Sequence, residues 1–381
     1  MYRRYQTYLY VQKTIPRKAP GKFYQALPFL IHKYYSFSMS DFVISATKNK
    51  QSLNTLITLV KQNFNIIIKP ENITELYGGY CNVIYKISFP INTTDSLTGV
   101  ILKIAPAPSV EMMTYEKYLL QTEVNVIERI EKETSIPCPH VLAFDDTCSL
   151  CNSPYFFMTI VPGQTLSSIP KPTPVLQDKY ASTLGNYLKQ LNSIHNSSFG
   201  LFMDSTSMLC KTNYEFILHL FRMTLDDGIK KNTNLQAISY DGMWELLKNN
   251  SNIFNEISQP SLVHWDLWEG NVFIQNEEVS GIIDFERALW GDPLMENSFS
   301  SFLQPSTSFL KAYGKTEFTQ KENIRRQFYK IYRELVMIIE CSYRQYDSAA
   351  QYNWVSSELK KDIPIVKQLL NNYHSVMINS I

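Results

Sequence analysis

Between residues 261 and 293 the chain reads SLVHWDLWEGNVFIQNEEVSGIIDFERALWGDP, three short apolar runs separated by polar turns. The region around it, from about residue 174 onward, repeats its apolar residues mostly at helical spacing. A helical region that must accommodate a small β insert restricts the possible folds sharply. The insert also sets polar groups at the ends of strand-like runs. His264 and Asp266 follow Leu262-Val263, Asn271 follows the turn at Gly270, and Asp284 closes the run GIID.

Upstream the pattern is different. QSLNTLITLVKQNF, residues 51–64, has helical spacing, and NIIIKP, NITELYGG, CNVIYKISFP and TGVILKIAP then follow as short β-branched and aromatic runs. Gly78-Gly79 and NTTDSLTG supply turn signals between them. TYEKYLLQTEVNVIERIEKET reads as one long amphipathic helix, and PHVLAFDD and SPYFFMTIVPG read as two further strands. The expected fold is α+β, with a small antiparallel-sheet N-lobe and a larger helical C-lobe. The divisions are 1–40 as a non-core extension, 41–161 as the N-lobe and 162–381 as the C-lobe.

The chain's 381 residues exceed what one compact core usually holds, which agrees with two lobes. A net charge of +1 leaves no electrostatic footprint for nucleic acid or an anionic membrane. No apolar run approaches the length of a bilayer span. Six scattered cysteines suit a reducing cytosol, so a cytoplasmic location is expected. Residues 1–40 carry Arg3, Arg4, Lys13, Arg17, Lys18, Lys22 and Lys33 with no acidic residue before Asp41. They read as a disordered or loosely docked extension upstream of a candidate start at Met39, with an organelle-targeting segment as the alternative.

The polar groups of the insert have a common chemistry. Two carboxylates and an amide oxygen are hard ligands that suit Mg²⁺ and suit zinc poorly. Phosphoryl transfer needs a metal on the phosphates, a cation beside them and a carboxylate that orients the attacking hydroxyl. The order His264-x-Asp266, Asn271, then Asp284-Phe285 eighteen residues after the first aspartate, has the spacing of a kinase-like catalytic half. The cation belongs upstream. Lys103 lies inside the apolar run GVILKIAP, where an unpaired ammonium is expensive to bury, so a carboxylate partner is required. The following helix offers Glu116, Glu123, Glu128 and Glu131; Glu123, which opens EVNVIERI, is the preferred partner.

These segments together resemble the aminoglycoside phosphotransferase and choline kinase group of small-molecule kinases, whose fold is protein-kinase-like. LYGGYCNVIYKI resembles the family's hairpin, VILKIAP its lysine strand, LLQTEVNVIERI its glutamate helix and FFMTIVPGQTL its hinge. LVHWDLWEGNVFI resembles the catalytic loop and GIIDFERALWGDP the metal-binding segment. The resemblance spans about residues 51 to 300. It implies an ATP- and Mg²⁺-dependent kinase acting on a hydroxyl of an aminoglycoside, amino alcohol or sugar-like acceptor. Asp266 would be the catalytic base. Asn271 and Asp284 would hold Mg²⁺, and Lys103, held by Glu123, would contact the phosphates. Thr159 and Val161 would offer backbone hydrogen bonds to adenine. His264 would brace the loop and Asp292 the local backbone. The chain departs from protein kinases in having Glu286 after Phe285, no G-x-G-x-x-G and no A-P-E, and Trp265 stands where a small residue is common. The alternative reading is a nucleotide-binding pseudokinase or regulatory module.

Other signals are weaker. Cys148 and Cys151 form a lone CxxC, near His140 in sequence but short of a zinc ligand set. Tyr343, Tyr346, Tyr352 and Trp354 suggest core packing, or else an acceptor pocket. Asp226, Asp227 and Glu296 are either surface helix charges or contacts to a cationic substrate.

Overall fold

The computed structural model describes residues 45–378, apart from 78, 80, 91–96, 204–208, 301–304 and 346–347. The basic extension, Met39 and Tyr346 therefore lie outside the described residues.

The first helix, α1 (Leu53–Phe64), is capped by the Ser52 hydroxyl on Thr55 N–H and ends at Asn65 in the left-handed conformation. It covers one face of a five-stranded antiparallel sheet built from β1 (Ile73–Leu76), β2 (Val83–Ser88) and β3 (Gly99–Ile104). Helix α2 (Leu119–Glu133) intervenes before β4 (Val141–Asp145) and β5 (Tyr155–Met158), and the strand order is β1-β2-β3-β5-β4. The two-residue period divides the sheet between two cores. Val100, Leu102, Ile104, Tyr155 and Phe157 face the α1 cluster. Ile101, Phe156 and Met158 face α2 and the main core. Lys103 lies on the second face by the same alternation, so β3 aims its ammonium at α2.

Two expectations are corrected here. NIIIKP is not a strand; Ile66 and Ile68 pack on the α1 cluster while the chain crosses to a 3-10 turn at Pro70–Asn72. The helix anticipated from residue 114 begins at Leu119, after a separate turn at Thr114–Glu116 and a left-handed Tyr118. Tertiary contacts override helical spacing there. Asp227 accepts from both Thr114 N–H (2.7 Å) and its hydroxyl, while Glu116 turns inward to Arg344.

The rest of the chain is mainly helical, with α3 (Pro174–Leu191), α4 (Asn213–Lys230), α5 (Tyr240–Leu247) and α6 (Ser251–Phe254) preceding the β insert. Two short strands, β6 (Gln164–Thr165) and β7 (Gly200–Leu201), flank α3. The insert is β8 (Ser261–Val263), β9 (Val272–Gln275), β10 (Glu278–Ile282) and β11 (Leu289–Gly291). β9 and β10 form a hairpin on a two-residue turn, Asn276-Glu277, both at positive φ, which matches the twist of the strands it joins. β6 completes the sheet β10-β9-β6, and β8 and β11 pair in the sheet β7-β11-β8. Helices α7 (Asn297–Ser300), α8 (Thr307–Tyr313), α9 (Gln320–Arg344) and α10 (Ala349–Ile378) follow. No helix among the described residues is long and apolar enough to cross a membrane.

The segment 161–165 is held against the insert. Ser280 donates to Pro162 O at 2.6 Å. Gly163 has φ +101, and a Cβ there would lie 2.2 Å from Ile274 O, so only glycine fits the turn into β6.

Candidate active site

β8 and β11 are paired, Leu289 opposite Val263, so the loop after β8 and the segment before β11 meet at one edge. Each carries a residue in left-handed conformation: Trp265 at φ 66 and Asp284 at φ 69. Aspartate tolerates this conformation; tryptophan does so at a cost of about 1 kcal/mol and needs neighbours that impose it. Glu296 does so, accepting His264 N–H at 3.0 Å and Trp265 N–H at 3.2 Å while itself fully buried. Asn192 donates to the same carboxylate at 3.0 Å.

The two segments are stitched together. His264 Nε2 lies 3.1 Å from Ile283 O, and its ring packs on Phe285 at 4.6 Å. Ile283 N–H donates to Asn271 O at 3.0 Å. Burial lowers the His264 pKa, so the ring is neutral and donates from Nε2. Asn271 is buried and gives its amide N–H to Asp266 O at 2.9 Å, which turns its amide oxygen the other way.

Lys103 is the centre of the charge arrangement. Its ammonium contacts Glu123 at 2.6 Å, Asp284 at 2.7 Å and Glu286 at 2.8 Å. Burial works against the ammonium, but the three carboxylates outweigh it and hold its pKa well above the ordinary value. Asp284 is held below the usual carboxylate range, Lys103 overcoming the opposing effect of burial. Glu123 is pushed up to about 8 by burial, with Asp284 and Glu286 adding to the rise against Lys103. Glu123, Asp284 and Glu286 form the one cluster of His, Cys, Asp or Glu able to hold a metal ion among the described residues. Three hard oxygen donors converge here beside a single ammonium, a donor set that fits Mg²⁺.

Asp266 is half-buried, and burial pushes its carboxyl up to about 6 against the opposing pull of Arg287. Arg287 contacts Glu340 at 3.3 Å and Glu116 at 4.0 Å, and it lies against the rings of Tyr115 and Trp265. Thr159 donates its amide to His140 O at 3.0 Å and accepts His140 N–H on its hydroxyl. Val161 packs against Gly281 of β10, where a Cβ would meet Val161 Cγ1 at 2.4 Å.

The structure thus gathers Lys103, Glu123 and Asp284 into direct contact, and joins Asp266, Asn271 and Asp284 through paired backbone. Glu286, Asn82 and Arg287 were not anticipated as site groups. Asn82 donates to Glu286 at 2.5 Å from the turn before β2, a pairing of residues 204 apart in the chain that no local signal announces. Glu286 offered one signal, a second carboxylate two positions after Asp284.

Several minor expectations are settled by burial and bonding. Glu296 and Asp227 are neither surface charges nor substrate contacts, because both are buried and committed to backbone amides. Asp226 is exposed beside Arg222. Asp292 braces the backbone, accepting Leu294 N–H and pairing with buried Arg325. Tyr343 is buried, and Tyr352 and Trp354 pack against the main core. Cys148 and Cys151 are free thiols, and His140 pairs instead with Glu131.

The family described as phosphotransferase enzyme family matches residues 90–318, more than half of the chain. The chain belongs to this phosphotransferase family. No curated protein matches it. Among solved structures, the gentamicin complex of APH(2")-IIa is 16% identical, covers 81% of this chain and 96% of its own, and has a TM-score of 0.55. Macrolide 2'-phosphotransferase MphH from Brachybacterium faecium is 14% identical, with coverage of 81% and 98% and a TM-score of 0.52. A thermostable mutant of aminoglycoside phosphotransferase APH(4)-Ia, in ternary complex with AMP-PNP and hygromycin B, is 14% identical, with coverage of 81% and 98% and a TM-score of 0.51. At these identities the likeness is one of fold: the protein-kinase-like arrangement of an antiparallel N-terminal sheet and a largely helical C-terminal region. The family match begins after the β1–β2 hairpin.

Proposed function

We propose that the chain is an ATP- and Mg²⁺-dependent kinase that transfers the γ-phosphate to a hydroxyl of a small molecule. The observation that carries this reading is Lys103, bonded at once to Glu123 of α2 and to Asp284 of the segment following β10. A lysine so placed is fixed at the junction of the sheet and the insert, where a triphosphate needs a cation. Family membership and the relatives' ligands, gentamicin, hygromycin B and AMP-PNP, support a small-molecule acceptor and an adenine nucleotide.

Asp266 orients the acceptor hydroxyl and takes its proton. With its carboxyl near pH 6, it is ionised at neutral pH and still basic enough to accept. Asn271 and Asp284 would hold Mg²⁺, with Glu286 as a further oxygen donor nearby, and the ion would supply positive charge against the phosphates. Lys103 orients the phosphates, and Glu123 keeps its ammonium in place. The Thr159 carbonyl and the Val161 amide face adenine, the Thr159 amide being spent on His140 O.

The test is ADP release from Mg·ATP against a panel of aminoglycosides, amino alcohols, amino sugars and macrolides, with Asp266→Ala alongside. Release that depends on one acceptor and on Asp266 supports the kinase. Nucleotide binding with no turnover on any acceptor would favour the pseudokinase reading. Full turnover in Asp266→Ala would overturn the mechanism.

A further inference from the structure

The residues that lead into α1 form a strap. Ala46 N–H and the Ser45 hydroxyl both donate to Arg344 O, at 3.0 Å and 3.1 Å, at the end of α9. Asn49 donates to Ser153 at 2.7 Å, and Gln51 N–H donates to the Tyr85 hydroxyl at 3.2 Å. Between these anchors Lys48 is directed into the turn that joins β1 to β2. Its ammonium donates to Asn82 O at 2.6 Å and lies 3.7 Å from where a Cβ on Gly79 would sit.

This ammonium is half-buried, and among the described residues it has no carboxylate within ion-pair distance. Burial lowers its pKa, with Cys81 and Glu75 raising it and Lys103 close enough to lower it further. Asn82 carries the connection onward. Its carbonyl takes Lys48 and its amide takes Glu286, which is bonded to Lys103. The turn, the metal-binding segment and both lysines therefore share one polar network. The other cations near the turn are committed, Arg344 and Arg287 being paired with Glu116 and Glu340.

We propose that Lys48 is a second phosphate-binding cation, which contacts the nucleotide's phosphates from the glycine-turn side while Lys103 contacts them from the sheet. The proposal rests on the kinase reading above. It explains why an ammonium is carried into a partly buried turn where, among the described residues, a carbonyl is its hydrogen-bond partner, an arrangement that is unfavourable without an anion. It also supplies the charge that the site lacks. Lys103 is already engaged by Glu123, Asp284 and Glu286, so its ammonium and one divalent ion leave a triphosphate poorly neutralised.

Isothermal titration of the full chain with Mg·ATP, Mg·ADP and adenosine tests this in the wild type, Lys48→Met and Lys48→Arg. The expected result is a loss of about tenfold or more in ATP and ADP affinity in Lys48→Met, consistent with one charge-assisted contact. Adenosine affinity stays unchanged, and Lys48→Arg regains much of the ATP affinity. Equal ATP affinity in wild type and Lys48→Met would overturn the proposal alone. An equal loss of adenosine binding would also overturn it, because the lysine would then be shaping the turn and not contacting phosphate. A wild type that binds adenosine but gains nothing from the phosphates, or binds no nucleotide, would overturn the kinase reading itself and this proposal with it.

Discussion

The Glu296 carboxylate accepts the backbone amide of Trp265 at 3.2 Å, thirty-one residues before it in the chain, and fixes the residue next to Asp266 in left-handed conformation. The same carboxylate holds His264 N–H, and Arg333 donates to Trp265 O at 3.3 Å. The indole lies edge-on to Tyr115 at 5.8 Å and against Tyr332 at 5.6 Å. A bulky residue is thus kept in a conformation it disfavours by two carboxylate hydrogen bonds and a packed aromatic site.

Replacement of Trp265 separates these effects. Trp265→Ala should destabilise the protein by about 3–5 kcal/mol through the cavity it leaves. Trp265→Gly should be less damaging than alanine by about 1 kcal/mol, since glycine accepts φ 66 without strain. Urea denaturation of the two variants checks the order, and a glycine variant weaker than alanine would contradict it.

Asp266 should dominate the acid side of the activity profile. Its folded pKa of about 6 requires kcat/KM to fall as pH drops through 6, because the base must be ionised. The stability effect has the opposite sense. A carboxyl raised above its unfolded value binds the extra proton in the folded state, so its stabilising contribution is lost as pH rises from about 4 through 6. Asp266→Asn should therefore lose at least about a hundredfold in turnover and yet melt a few degrees higher at pH 7. Paired rate and calorimetric measurements read both, and a variant that is inactive because it is unfolded would refute the second half.

Glu334 and Asp362 predict alkaline sensitivity in the α9–α10 pair. Glu334 is fully buried, and burial together with the neighbouring Asp362 pushes its carboxyl up to about 10. Lys330 sits 2.7 Å from Asp362, and Gln327 donates to it at 2.8 Å. The folded state holds one more proton than the unfolded state between the ordinary glutamate range and pH 10, so stability declines as pH rises across that window. Glu334→Gln should flatten the decline. Thermal melts at pH 6, 8 and 9.5 test it, and parallel slopes in variant and wild type would contradict it.

Gly281 of β10 packs directly against Val161. An alanine Cβ there would lie 2.4 Å from Val161 Cγ1, on a side chain with little rotamer freedom, so the backbone at Val161 must shift. Gly281→Ala should weaken ATP binding several-fold while leaving acceptor KM near the wild-type value. Titration with ATP and steady-state kinetics distinguish the two.

Much of this arrangement was legible in the sequence because it is local. Lys103 in an apolar strand demanded a partner, and Glu123 in the next helix is bonded to it. The strand ends at Val263 and Ile282 pointed Asp266 and Asp284 toward one edge, and the β8–β11 pairing brings them there. The omissions have one cause. Asn82, Arg287 and the bracing role of Glu296 depend on partners far along the chain, and neither charge pattern nor periodicity carries that pairing. Helical spacing also misled at Thr114–Glu116, where Asp227 and Arg344 outcompete helix continuation.

The most direct test of the central claim is the Mg²⁺ dependence of ATP affinity, titrated with and without the ion in the wild type and in Asp284→Asn. If Asp284, Glu286 and Lys103 form the phosphate site, Mg²⁺ should tighten ATP binding in the wild type and have little effect in Asp284→Asn. Nucleotide affinity that ignores both the ion and the substitution would contradict the claim.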